Sequence, residues 1–118
     1  MPIVDVELIA GSAHPDAAAT QALADALGDV FEAAPGKVWL RMRALPAGQY
    51  AENRAAAPSP VFVRVTASAP PEGERLRQRI AAITQAVARA TGRPAENVHV
   101  EFMPAARGRI AFGGRLVE

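Results

Sequence analysis

The sequence predicts an α/β fold: a duplicated β-α-β unit that gives a four-stranded mixed sheet, two helices on one face of it, and a C-terminal hairpin. Three observations predict it. Four short segments of period two, IVDVELIA, KVWLRMR, PVFVRVTA and NVHVEFM, are joined in pairs by two longer segments of helical period. The halves 1–58 and 59–118 repeat this order, with Val38 and Val98 in corresponding places, as an internal repeat would have them. The 118 residues, half of them hydrophobic, suit a single domain, residues 1–118, with one core.

In residues 3–10, Val4, Val6 and Leu8 share one face and Asp5 and Glu7 the other, which makes a half-buried strand. GSAHPD follows, with Pro15 suited to a helix start and His14 read as a helix-entry residue. Leu23, Leu27, Val30 and Phe31 recur at helical spacing to about residue 34, where Pro35-Gly36 ends the helix. KVWLRMR is the second strand, with Val38, Leu40 and Met42 opposing Trp39, Arg41 and Arg43. A loop rich in Ala and Pro runs from Ala44 to Ser59 and holds Tyr50.

The second half opens with a strand whose Val61, Val63 and Val65 share a face. Pro70-Pro71-Glu72 starts a helix carrying Leu76, Ile80, Ile83 and Val87, and Gly92-Arg93-Pro94 closes it. Val98, Val100 and Phe102 then oppose His99, Glu101 and Met103 in the fourth strand. In the tail, Gly113-Gly114 between short apolar pieces signals a hairpin. A helical crossover within each half implies parallel pairing. Two helices on one face leave the other face bare, with Phe62, Trp39 and Met103 on it, and copies of the same chain are the simplest cover.

Composition narrows the function classes. A formal net charge of +1 carries no basic excess of the kind nucleic acid demands. The absence of cysteine excludes disulfides and thiolate chemistry, and two histidines are too few for a histidine-rich metal site within one chain. No apolar run approaches the ~20 residues of a membrane span, and no signal-peptide pattern opens the chain, so a cytoplasmic location is the default expectation. The chain starts Met-Pro. Small second residues permit removal of the initiator methionine, which would leave Pro2 with a free secondary amine.

These residues resemble the tautomerase superfamily, whose β-α-β units, single or fused in pairs, assemble around a threefold axis and use an amino-terminal proline as base. RPAENVHVEFMPAARGRIAFGG is similar to the last strand and closing hairpin of 4-oxalocrotonate tautomerase. The fused halves look more like macrophage migration inhibitory factor or 5-carboxymethyl-2-hydroxymuconate isomerase. The resemblance implies a cofactor-free, homotrimeric tautomerase acting on a small 2-oxo acid or aryl-pyruvate, with Pro2 as general base and no metal. It implies carboxylate- and carbonyl-binding groups drawn from Arg41, Arg43, His99, Glu101, Arg107 and Arg109. Ile110 and Phe112, with Trp39, would form the apolar wall. The loop arginine of the family is missing after both first strands, which read GSAH and ASAP.

Plainer readings stand beside these. Pro2 can be a strand-edge residue, His99 and Glu101 interface packing, and Arg41 and Arg43 solvated strand charges. Arg75, Arg77 and Arg79, on a helix with Glu72 and Glu74, read as a solvated face. The alternatives for the whole chain are a non-catalytic tautomerase-like or ferredoxin-like binding module, or a dehalogenase or decarboxylase branch of the same superfamily.

Overall fold

The computed structural model describes residues 2–10, 15–56 and 59–118. His14, read from the sequence as a helix-entry residue, and the initiator Met1 lie outside the described residues. Strand β1 (Ile3–Ala10) is followed by helix α1 (Ala17–Val30), strand β2 (Trp39–Pro46), strand β3 (Val61–Thr66), helix α2 (Gly73–Thr91) and strand β4 (Val98–Phe102). A short hairpin, β5 (Ala111–Phe112) and β6 (Arg115–Leu116), closes the chain.

The sheet order is β2-β1-β3-β4. β1 pairs parallel with β2, and β3 pairs parallel with β4. The two β-α-β units meet through the antiparallel pair β1–β3, with Val4 opposite Val65 and Val6 opposite Val63. This is the mixed four-stranded sheet the sequence predicts. β3 runs against β1, so the start of β1, the start of β2, the ends of β3 and β4, and the start of α2 all gather at one end of the sheet.

The core lies between the sheet and the helices. Val4, Val6, Leu8, Val61, Val63, Val65 and Val98 from the strands meet Leu23, Leu27, Ile83, Ala86 and Val87 from the helices. Alternation along the strands and a helical stripe supply these residues, as the sequence reading expects. Their burial removes apolar surface from water, the main driving term of folding.

α1 is capped at its start by the Asp16 side chain, which accepts from the Ala19 N–H at 2.7 Å. At its end the sequence expectation needs correction. The helix stops at Val30, not near residue 34. Glu32 takes a left-handed conformation (φ 52°), its N–H bonds to Asp29 O, and Ala33 N–H bonds to Gly28 O. This is the Schellman pattern, and it ends the helix before Pro35-Gly36 can. β2 is longer than expected. Ala44, Leu45 and Pro46 continue it because they pair with Leu8, Ile9 and Ala10 of β1. α2 ends where predicted, at Gly92 with φ 68°. The predicted hairpin turn is present, with both Gly113 (φ 58°) and Gly114 (φ 85°) in the left-handed region, as a type I′ turn requires.

The sheet face away from the helices is less apolar than the sequence argument assumed. Phe62 and Trp39 are exposed there. Between them runs a row of cross-strand neighbours of alternating sign, Arg41, Asp5, Arg64 and Glu101. No described helix is long and apolar enough to cross a membrane.

Candidate active site

Pro2 is buried and lies where the chain enters β1. Its carbonyl oxygen accepts from the Trp39 N–H at 3.0 Å, which extends the β1–β2 pairing by one residue and fixes the proline's position. Strand alternation gives Pro2 the parity of Val4 and Val6, so it belongs to the helix side of the sheet.

A cavity of about 290 Å³ opens at this point. Phe31 and Ala33 reach it from the end of α1, and Lys37 from the residues leading into β2. Ala67, Ser68, Ala69 and Pro71 reach it from the turn after β3, Phe102 from the end of β4, and Arg79 from the second turn of α2. Topology brings these together: each lies at the end of the sheet where Pro2 leads into β1. The turn after β3 is braced from outside. Met103 N–H bonds to Val65 O, Ala106 N–H to Ala67 O, and Arg107 N–H to Ser68 O, at 2.8, 3.0 and 3.2 Å.

The cavity's chemistry is one-sided. Lys37 and Arg79 supply two cations, and among the described residues no carboxylate lines it. The guanidinium carbon of Arg79 stands 5.1 Å above the Phe31 ring, a cation–π arrangement. Two other cavities among the described residues differ. A groove of about 750 Å³ along α1 carries Asp16, Asp25 and Asp29 and no cation. A depression of about 370 Å³ on the opposite sheet face mixes Asp5, Glu7 and Glu101 with Arg43, Arg64 and His99. Only the Pro2 cavity, of these three, presents net positive charge to an anion. Among the described residues no group of three His, Asp or Glu side chains is placed to hold a metal ion.

The residues expected from the sequence fall elsewhere within the chain. Arg41 donates to both oxygens of Asp5, at 2.6 and 2.9 Å. That hydrogen bond, and then the Asp5 charge, push its pKa up and keep it charged. Arg43, His99 and Glu101 line the depression on the far face. There the His99 ring lies 5.6 Å from Phe62, and Glu101 is 3.4 Å from Arg64. Trp39 also faces that side, held by a 3.0 Å bond from its indole N–H to Gly36 O and by an edge-on contact with Phe112 at 4.7 Å. Arg107, Arg109 and Ile110 belong to the segment that runs from β4 to the hairpin, and none of them lines the Pro2 cavity. The one expected site residue that does so is Pro2 itself. The sequence reading missed Lys37, Arg79 and Phe31. Arg79 in particular was read as part of a solvated helix face, and the structure instead turns it over Phe31 at the cavity wall.

No protein-family model matches the chain, and no curated protein matches it in sequence. Solved structures do match in shape. A fused 4-OT, described as a wild-type symmetric trimer, superposes with a TM-score of 0.80 at 20% identity, over 98% of this chain and 94% of that one. A macrophage migration inhibitory factor homologue from Prochlorococcus marinus gives 0.78 at 11% identity, over 98% and 99%. FG41 malonate semialdehyde decarboxylase, inhibited by 3-bromopropiolate, gives 0.71 at 22% identity, over 94% and 88%. Likeness at these identities speaks to the fold, and at that level the resemblance read from the sequence is borne out: this chain has the fold of the tautomerase superfamily in its fused, two-unit form.

Proposed function

We propose that the protein is a cofactor-free tautomerase, a member of the superfamily whose fold it shares. It moves a proton between carbon and oxygen in a small 2-oxo acid or aryl-pyruvate. The observation that carries this reading is the burial of Pro2 against a cavity that holds two cations and no acid. In the mature chain, with Met1 removed, the Pro2 nitrogen is a secondary amine at the cavity wall. A free α-amine titrates at roughly 7.7–8.0, and burial beside Lys37 and Arg79 disfavours its ammonium form. The neutral amine then takes the proton from the carbon next to the substrate carbonyl, and the ammonium returns it to the other end of the enol system. Lys37 donates to the carbonyl oxygen as negative charge grows there.

The assembly in this reading is a homotrimer, consistent with the fused 4-OT trimer of the same fold. Arg41, Arg43, His99, Glu101, Arg107, Arg109, Ile110, Phe112 and Trp39 enter the site, where they do, from a neighbouring subunit.

The test has two steps. The intact mass of the purified protein is expected to lack the initiator methionine. Ketonisation of phenylenolpyruvate, followed by ultraviolet absorbance, is then expected to fall by about 10²-fold or more in Pro2→Ala, the scale of general-base catalysis. Lys37→Met should lose turnover as well, by about 10-fold or more. A retained methionine, or equal rates for wild type and Pro2→Ala, removes the proline mechanism.

A further inference from the structure

We infer that Arg79, with Phe31 behind it, is the residue that holds the substrate's carboxylate and restricts the Pro2 cavity to small carboxylates. The inference rests on the reading of that cavity as a substrate site, and it stands on three features of the residue itself.

The first is its freedom. Among the described residues the other structured arginines that make side-chain contacts have polar partners: Arg41 has Asp5, Arg64 has Glu101, Arg77 has Glu74, and Arg93 has two backbone carbonyls. Arg79 has a ring and, among the described residues, no carboxylate or carbonyl partner. Glu74, earlier on the same helix, is paired with Arg77 at 3.4 Å. The second is its orientation. A cation–π contact occupies one face of the guanidinium and leaves the N–H donors at its edge unused. Those donors are the fork that matches a planar carboxylate with two parallel bonds. The third is its setting. Apart from Ser68, the remaining walls, Phe31, Ala67, Pro71 and Phe102 among them, are apolar and suit a short carbon skeleton, and the N-terminal end of α2, positive by its dipole, lies at the same rim. Lys37, a compact point charge from another element, remains for the carbonyl oxygen. Arg79 thus takes the part left open by the missing loop arginines in GSAH and ASAP.

Binding tests this without requiring turnover. The dissociation constants of phenylpyruvate and of its uncharged methyl ester are measured by calorimetry on the mature protein. Wild type, Arg79→Gln, Arg79→Lys, Phe31→Leu and Pro2→Ala are compared, each checked for an unchanged circular dichroism spectrum. Loss of a charge-assisted bonded pair should weaken phenylpyruvate binding about 10-fold or more in Arg79→Gln. Arg79→Lys should restore part of it, because the charge returns without the fork. Phe31→Leu should weaken it roughly 2- to 5-fold by removing the platform. The ester should bind wild type and Arg79→Gln equally. Equal phenylpyruvate affinity in wild type and Arg79→Gln, an equal loss for the ester, or no binding to wild type at millimolar concentration overturns the inference. Pro2→Ala separates the two readings. If it binds phenylpyruvate normally and also turns over normally, the proline mechanism fails while the role of Arg79 stands.

Discussion

Tyr50 donates its phenolic hydrogen to Glu52 Oε2 over 2.8 Å, and its ring lies 5.9 Å from Phe62. The hydrogen bond to Glu52, then partial burial, then the Glu52 charge all oppose ionisation of the phenol and push its pKa above the ordinary value of 10.0. The sign of the stability effect follows. Folding favours the protonated phenol, so the contribution is complete below the ordinary phenol range and is lost as pH rises through the higher folded-state value. Tyr50 is the chain's single tyrosine, so tyrosinate absorbance reports it without overlap. The native protein should titrate above the value found in urea. Glu52→Gln, which removes the charge, should bring the native midpoint down. A native midpoint equal to the unfolded one would mean that the bond does not persist in solution. The same scale explains why Lys37 and Arg79 escaped the sequence reading. A lysine before a strand and an arginine among acids on a helix are ordinary surface residues in one dimension. Nothing in their local pattern marks the cavity they share.

Elements were far more legible than single side chains. Period-two alternation and the helical stripes of Leu23-Leu27 and Ile83-Val87 disclosed the four strands, both helices and the inward face of each. The boundaries that failed were set by interactions no window of sequence contains. β2 runs on through Ala44–Pro46 because β1 offers partners, and α1 stops at a Schellman turn built around Glu32, a residue with no special claim to φ 52°. The site was half legible for a related reason. Pro2 was visible as the residue behind the initiator. Parallel pairing with β1 brings the start of β2 to the Pro2 end, but the start of α2 reaches it only because β3 opposes β1, while strand alternation, legible in the sequence, puts Arg41, Arg43, His99 and Glu101 on the far face. The two units are also joined by a clamp that the sequence does not advertise. Arg93, just beyond α2, donates to Ile9 O at 2.7 Å and to Ser59 O at 2.6 Å, and so ties the end of β1 to the approach to β3. Hydrogen bonds from a charged donor contribute about 1.5–3 kcal/mol each, discounted here for partial exposure. Arg93→Ala should therefore lower stability by about 2 kcal/mol, read as a lower urea midpoint with an unchanged slope. Arg93→Lys, with one reach instead of a fork, should lose about half as much. An unshifted midpoint in Arg93→Ala would show that water replaces the clamp at no cost.

The whole molecule turns one sheet face to its helices and leaves the other open. On that open face Arg43, Glu7, Phe62 and His99 form one cross-strand row beside the alternating row of Arg41, Asp5, Arg64 and Glu101. Phe62 is 39% exposed and Trp39 45%, large aromatic areas to leave in water. The flanking charges are balanced in sign, so in the proposed trimer copies would approach without net repulsion and specificity would come from matching opposite charges rather than from a greasy surface. This is a different balance from the bare apolar sheet expected from the sequence, and it gives the proposed homotrimer a particular sensitivity. Light scattering should report about three times the 12.4 kDa chain mass for the wild type. Phe62→Glu removes an exposed aromatic and sets a carboxylate beside Glu7 of the same chain, so the face that copies would share gains two adjacent like charges. The exposed position spares the core, and the variant should keep its circular dichroism spectrum while scattering as a 12.4 kDa monomer. A wild type that scatters as a monomer ends the trimer proposal. A Phe62→Glu variant that stays trimeric moves the interface off this face and onto the edges β2 and β4.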